Sequence, residues 1–420
     1  MPAREQQAAR PRPSLAESFN PGQARRGREH DAVDGIVPAL AITARSTDEV
    51  RRVMTEAATA GAKLIACGTG SMLELGNLPR GFDLRLTTSG MASLVEPHPA
   101  DLTVTVEAGV GLARLNRELA AVGQRVALDP APGLQATVGG VIATDSTGGY
   151  AYGFGRPRDQ VLGLTVVDGR ARVLRTGGRV LKNVAGYDLP RLFTGSCGTL
   201  GVITHATLRT QPLPETGRTL CFSFSEATAI DRARAAIFAS ELPLCAFDFE
   251  AEDRGRWVLA VRVEGTSEQA SYQADRLTAL CGRAPDEIGT QWVSPIHAGP
   301  EDNVVLRLGA APAVAVRLAG ELLGMAATKA ASARVCGRFG DGLLRVHARC
   351  ERARDALELV ETVREIDGAG AAVVERVPTA VKSRIDVWGP EPSGMALMRA
   401  IKSAFDPHAL LAPGRFVGGL

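Results

Sequence analysis

Gly195-Ser196-Cys197-Gly198-Thr199-Leu200-Gly201-Val202-Ile203 is the stretch on which the reading of this chain turns. Three glycines stand three residues apart and run into a β-branched segment that continues as His205-Ala206-Thr207-Leu208. Glycine this dense suits neither a helix nor a strand interior, because it costs backbone entropy and offers no side chain to pack. It fits a place where backbone must come close to a ligand or to another segment. The spacing predicts such an approach at 195–201, then a strand over 200–208, with the ligand lying on that strand's edge.

Two further loops have the same character. Cys67-Gly68-Thr69-Gly70-Ser71 follows a short apolar strand, 63–66, itself preceded by a helical pattern at Val50, Val53, Met54 and Ala57. It fails the dinucleotide fingerprint, since Leu73 occupies the third glycine position. Its small residues can still present backbone N–H groups to a phosphate, or can form a plain tight turn. The second loop, 132–149, reads as irregular, with hydroxyls at Thr137, Thr144, Ser146 and Thr147 and the pair Gly139-Gly140. Loops of this length are usually functional or disordered. Its apolar Val138, Val141 and Ile142 argue for order, and a long wall of small residues suits a large planar or extended ligand.

The rest of the chain supplies the frame. Strands are expected at 39–44, 102–108 and 161–167, a turn at Asp168-Gly169 and a helix over 112–122. After Gln211-Pro212-Leu213-Pro214, strand-like segments alternate with amphipathic helices, which predicts an open sheet with helices on one face. With 420 residues, 45% hydrophobic and 22% charged, the chain is long enough for more than one globular domain. A net charge of +2 and 5% aromatic residues give no footing for nucleic-acid binding. The seven cysteines are scattered, with no CxxC, which reads as free thiols and leaves no cluster of thiolates for an iron–sulfur centre. No metal site is expected. No run approaches the roughly 18 apolar residues of a membrane span, so any membrane contact would be peripheral. The Arg-rich residues 1–35 read as a disordered leader.

Taken together, the 67–71 loop, Thr137-Val138-Gly139-Gly140, Tyr152-Gly153, Arg158-Asp159 and the 195–203 motif resemble the FAD-binding domain of the vanillyl-alcohol oxidase/PCMH superfamily. Within it, Lys182 to Leu189 and the ending Ala404-Phe405-Asp406-Pro407 through Pro413-Gly414-Arg415 resemble the glycolate oxidase/D-lactate dehydrogenase branch, with the GlcE-type subunit as the nearest fit. The resemblance covers residues 36–213 and 400–416. It implies an α+β fold: a PCMH-type FAD-binding domain of two α/β subdomains over 36–213, an α+β cap with an antiparallel sheet over 214–399, and a segment, 400–420, returning to the FAD domain. It implies that the FAD pyrophosphate rests on Gly68, Thr69, Gly70 and Ser71, beside Cys67. It further implies that Thr137, Gly139, Gly140, Ala143 and Thr144 line the ring and ribityl chain, and that Gly201, Val202 and Ile203 touch the cofactor through backbone.

Departures from the pattern shape the functional expectation. Cys197 stands where catalytic relatives carry Glu, Ala412 where they carry Asn, and the six histidines (30, 98, 205, 297, 347, 408) form no cluster in sequence. No His or Cys occupies an evident flavin-attachment position, so the expected FAD is non-covalent. These features fit an FAD-binding subunit that works with a catalytic flavoprotein subunit and an iron–sulfur subunit on a small 2-hydroxy acid. The expected location is cytoplasmic, with peripheral attachment at the inner membrane through partners. A stand-alone dehydrogenase and an assembly subunit that has lost flavin are the alternatives. Arg345, His347 and Arg349 alternate on one strand face and could take a substrate carboxylate, or could be a solvated face. Lys182 and Asp188 could be site residues or could brace the turn at Gly186, Tyr187 could pack on flavin or core, and Cys197 and His205 read as structural.

Overall fold

The computed structural model describes residues 19, 23–131, 133, 135–178, 187–253, 255–292, 294, 295, 299, 301–366 and 371–420. Three sheets carry the fold, and the class is α+β as the sequence implies. In the first, Leu40–Thr43, Leu84–Thr87 and Leu64–Cys67 run parallel, and Ala24–Arg26 pairs antiparallel with Leu40–Thr43. Helix Thr47–Ala60 covers this sheet. It starts where the Ser46 side chain accepts the Glu49 N–H, stops at left-handed Gly61, and buries Val50, Val53, Met54 and Ala57.

For residues 23–35 the Ala24–Arg26 strand corrects the expectation of a disordered leader, while 1–18 and 20–22 lie outside the described residues. Phe19 is buried in the first core. Asp31, also buried, takes Arg25 and Arg85 as partners. The arginines that read as leader composition include one with a specific acid six residues away.

The second sheet is antiparallel, in the order Leu94–His98, Thr103–Glu107, Gly201–Arg209, Val161–Asp168, Val173–Gly177. The strand after the glycine motif is therefore central in its sheet. Its ladder with Thr103–Glu107 begins only at His205, opposite Glu107, so the 201–203 backbone runs past that neighbour. Alternation sends Val202 into the first sheet's core and Ile203 into the second's, fixing the strand between the two.

The third sheet is antiparallel and eight-stranded. Its inner face packs on helices Ala227–Ala239, Ser267–Cys281, Ala315–Ala327 and Ala353–Arg364 through residues such as Phe247, Phe249, Leu306, Val335 and Val346. Among its strands that escaped the sequence reading are Ala246–Glu252 and Ser332–Arg338. The alternate residues of these strands, charged to an unusual degree, point away from the helices toward the 129–150 segment. Arg338 donates to the Gly148 carbonyl, Trp292 donates to Asp129 at 3.0 Å, and Arg125 pairs with Glu264. No described helix is long and apolar enough to cross a membrane.

Candidate functional site

The 67–71 loop leaves the first sheet at the C-terminal end of Leu64–Cys67. Thr88 N–H donates to the Cys67 carbonyl at 2.9 Å and the Thr87 hydroxyl to the Gly68 carbonyl at 3.0 Å, which fixes the loop's carbonyl side. The amides of Gly68, Thr69, Gly70 and Ser71 donate to no backbone acceptor among the described residues. Such a run of unpaired N–H groups is an anion cradle. Gly70 has φ +87°, and Gly68 is held by close approach: a Cβ there would lie 1.9 Å from Thr137 Oγ1.

Thr137 caps a short helix, Val138–Thr144, in a segment expected to be irregular; its hydroxyl accepts the Gly140 N–H. The helix survives two glycines because Val138, Val141 and Ile142 are buried, and because Gly139 permits contact with Ala108, whose Cβ would be 2.7 Å from an added Cβ. At Gly140 an added Cβ would meet nothing nearer than Thr137 Oγ1 at 3.1 Å. This position therefore opens toward the cleft.

The glycine motif is bolted to the far end of that helix. Gly195 N–H donates to Ile142 O at 2.9 Å and Cys197 N–H to Ala143 O at 2.7 Å. Gly195, Cys197 and Gly198 have φ of +78°, +51° and +71°, so the backbone reverses in the left-handed region. Gly201 serves close packing instead, with Val166 Cγ1 2.5 Å from where its Cβ would stand. Cys197 is the non-glycine residue among these three. Burial pushes its thiol up to about 12, against the nearby Arg307 and Arg415, so it is an un-ionised thiol and a poor nucleophile.

These three segments line one cleft. All thirteen residues expected at the cofactor line it: Cys67, Gly68, Thr69, Gly70, Ser71, Thr137, Gly139, Gly140, Ala143, Thr144, Gly201, Val202 and Ile203. Ala412 and Arg415 of the C-terminal segment join them. That segment docks by Ala412 N–H to Leu64 O at 2.8 Å and by buried Lys402, which donates to Thr199 O at 2.8 Å and to Leu411 O at 2.9 Å. Free amides at one end and an apolar, small-residue wall at the other fit the pyrophosphate and the flat ring of FAD.

The cationic trio is split. Arg345 and His347 are buried on the outer face of the third sheet. Arg345 pairs with Glu375 at 2.8 Å, and so does Arg307 from the adjacent strand. Arg345 Nη1 has no hydrogen-bond partner among the described residues. Burial pulls His347 down to about 4, and the ring is neutral at pH 7, with Nδ1 3.4 Å from Asp302. Burial opposes ionisation of Asp302, but His347, the Gly299 amide and Arg334 hold it down at about 2. Arg349 is overturned as a site residue: it lies at the surface, paired with Glu301 at 2.8 Å, because it is one residue beyond the covered part of the strand. None of the three lines the cleft. Arg307, which the sequence reading missed, lies within electrostatic range of Cys197 on the cleft wall. Its signal was a charge inside an apolar strand, Val304-Val305-Leu306-Arg307-Leu308.

Tyr187 is 94% exposed, outside the core and the cleft lining. Asp188 braces, capping a helical turn by accepting the Arg191 N–H at 3.2 Å. His205 sits beside Thr47 and Thr204, lowered by burial, as a structural residue. Lys182, Gly186 and His297 lie outside the described residues.

The family model described as "FAD binding domain" matches residues 38–177, and "FAD linked oxidases, C-terminal domain" matches 390–416. Glycolate oxidase subunit GlcD of Bacillus subtilis is 28% identical, over 90% of this chain and 89% of that protein. Glycolate oxidase subunit GlcE of Escherichia coli is 38% identical over 128 residues, covering 30% of this chain and 37% of that protein. In fold, the chain is similar to alkyldihydroxyacetonephosphate synthase, with a TM-score of 0.72 at 16% identity over 96% of this chain and 86% of that one. The chain carries an FAD-binding domain of the FAD-linked oxidase/PCMH superfamily, takes FAD as its cofactor, and is an FAD-linked oxidoreductase.

Proposed function

We propose that the chain is the FAD-binding subunit of a glycolate-oxidase-type D-2-hydroxy-acid oxidoreductase, of the GlcE kind. Its partners would be a catalytic flavoprotein subunit and an iron–sulfur subunit, in the cytoplasm or held peripherally at the inner membrane by those partners. The observation that carries this reading is one cleft that gathers every expected cofactor residue beside a buried cationic sheet face. Gly68, Thr69, Gly70 and Ser71 would hold the pyrophosphate, and Thr137, Gly139, Gly140, Ala143 and Thr144 the ring and ribityl chain. Cys67, Gly201, Val202 and Ile203 would complete the wall. Bound there without a covalent link, FAD supplies the two-electron acceptor for oxidation of an α-hydroxyl to a carbonyl, with the iron–sulfur subunit as onward acceptor.

Arg307 and Arg345 would take the substrate carboxylate, a role that suits the guanidinium fork and the unpartnered Arg345 Nη1. His347, neutral and with an unpartnered Nε2 among the described residues, would accept the hydroxyl proton. The local 38% identity to GlcE supports the subunit reading. The likeness to GlcD along 90% of the chain favours a second one, a dehydrogenase that turns over alone. The full chain, purified and mixed with glycolate or D-lactate and a dye acceptor, decides. A yellow chain that reduces the dye only with its partner subunits supports the first reading, and reduction by the chain alone supports the second. A colourless chain that takes up no FAD sinks both.

A further inference from the structure

We propose that Arg415, clamped by Asp34 and Lys382, is the positioning residue of the cofactor loop. By holding the 73–77 backbone, it would keep the amides of Gly68 to Ser71 turned into the cleft. The inference rests on those amides being the seat of the FAD pyrophosphate.

Arg415 lines the cleft, yet it is nearly inaccessible, because its guanidinium is consumed by the loop. Nη2 donates to the carbonyls of Leu73 and Leu75, both at 2.5 Å. Nη1 donates to Asp34 at 2.9 Å and to the Asn77 carbonyl at 3.4 Å. Buried Lys382 donates to the other oxygen of Asp34 and to the Glu74 carbonyl, each at 2.6 Å. Four carbonyls between Leu73 and Asn77 thus hang on one cluster. Its members come from three distant parts of the chain: the N-terminal segment, the short helix Thr379–Lys382 and the C-terminal segment. The backbones interlock as well. Asn77 N–H donates to Arg415 O and Arg80 N–H to Pro413 O, both at 2.9 Å. A Cβ at Gly76 would stand 2.8 Å from Arg415 O.

The chemistry suits a doubly anionic ligand. The cluster holds two cations and one carboxylate, and Glu74 does not neutralise it, because its own side chain pairs with Arg376 at 2.6 Å. A net positive charge then lies beneath a cradle of free amides. The guanidinium of Arg415 serves four acceptors, three carbonyls and a carboxylate, one more than the three donors of a lysine ammonium can serve.

Flavin fluorescence titration of the full-length chain, with hydrogen exchange across 68–77 in the FAD-free state, tests this. Arg415→Lys and Asp34→Asn are expected to raise the FAD dissociation constant about ten-fold to a hundred-fold, the range of lost charge-assisted hydrogen bonds. Both should speed exchange across 68–77, and saturating FAD should restore turnover close to that of the parent chain. Arg415→Gln should be worse than Arg415→Lys; if it fails to fold, the other two variants decide. Unchanged FAD affinity in Arg415→Lys and Asp34→Asn overturns the assignment, and so does weaker binding without faster exchange. A parent chain that binds no FAD overturns the cofactor site itself, which separates the two failures.

Discussion

The cofactor cleft and the outer face of the third sheet lie close together but are built from opposite materials. The cleft is made of backbone. Its working groups are amides unpaired among the described residues, its shape comes from glycines, and its Cys197 thiol is held un-ionised. The sheet face is made of buried charge: Arg307, Arg345, Glu375, His347, Asp302, Arg334 and Glu250 on neighbouring strands, with Arg338, Asp248 and Asp129 at the seam to the 129–150 segment. The contrast teaches where each region is fragile. A backbone site fails when an atom is added, and a buried ionic site fails when one partner is removed.

Gly68→Ala should do the most damage. The added Cβ would fall 1.9 Å from Thr137 Oγ1, so the loop and the helix cap cannot both keep their places. FAD binding should be lost, together with a drop in melting temperature. A variant that binds FAD normally would show that the seam yields and that the cleft is less rigid than described. Glu375→Gln comes next. It leaves Arg307 and Arg345 without their shared counter-ion and should cost about 3–5 kcal/mol by chemical denaturation. A cost below about 1 kcal/mol would make that face a solvated one.

Asp248→Asn should give the smallest effect and the opposite sign. Burial pushes Asp248 up to about 7, against Arg338 and Ser294, and Asp129 up to about 6. A carboxyl whose folded pKa is raised contributes stability that is full below about 4 and is lost as pH rises through about 7. The asparagine variant should therefore melt higher than the parent at pH 8, by about 2 °C or more, with little difference at pH 4. An equal shift at both values would mean that Asp248 is not titrating across that window.

The same contrast explains what was legible in the sequence. The cleft could be read because each of its parts is local: glycine is favoured where the chain turns left-handed, as at 195 and 198, or where a neighbouring segment leaves no room for a Cβ, as at 68 and 139. The sheet face could not. Arg345 meets Glu375 and Arg307 through strand pairings that no local pattern fixes, and Arg349, four residues on, falls outside the covered face. The helix at 138–144 was hidden for a related reason: its glycines oppose helix propensity, and burial of Val138, Val141 and Ile142 overrides that. The leader was misread because average composition cannot show that Arg25 has a buried acid waiting at Asp31.

The central claim is that a backbone-built cleft between residues 67–71, 137–144 and 197–203 holds FAD. Equilibrium titration of the flavin-free chain with FAD, for the parent and for Gly140→Leu, tests it most directly. A Cβ at Gly140 would meet only the Thr137 hydroxyl, at 3.1 Å, which a shift of a few tenths of an ångström relieves, so the leucine variant should fold and occupy the ring's place. The account predicts saturation at one FAD per chain in the parent and no saturation in a folded Gly140→Leu chain. Equal affinity in the two would contradict it.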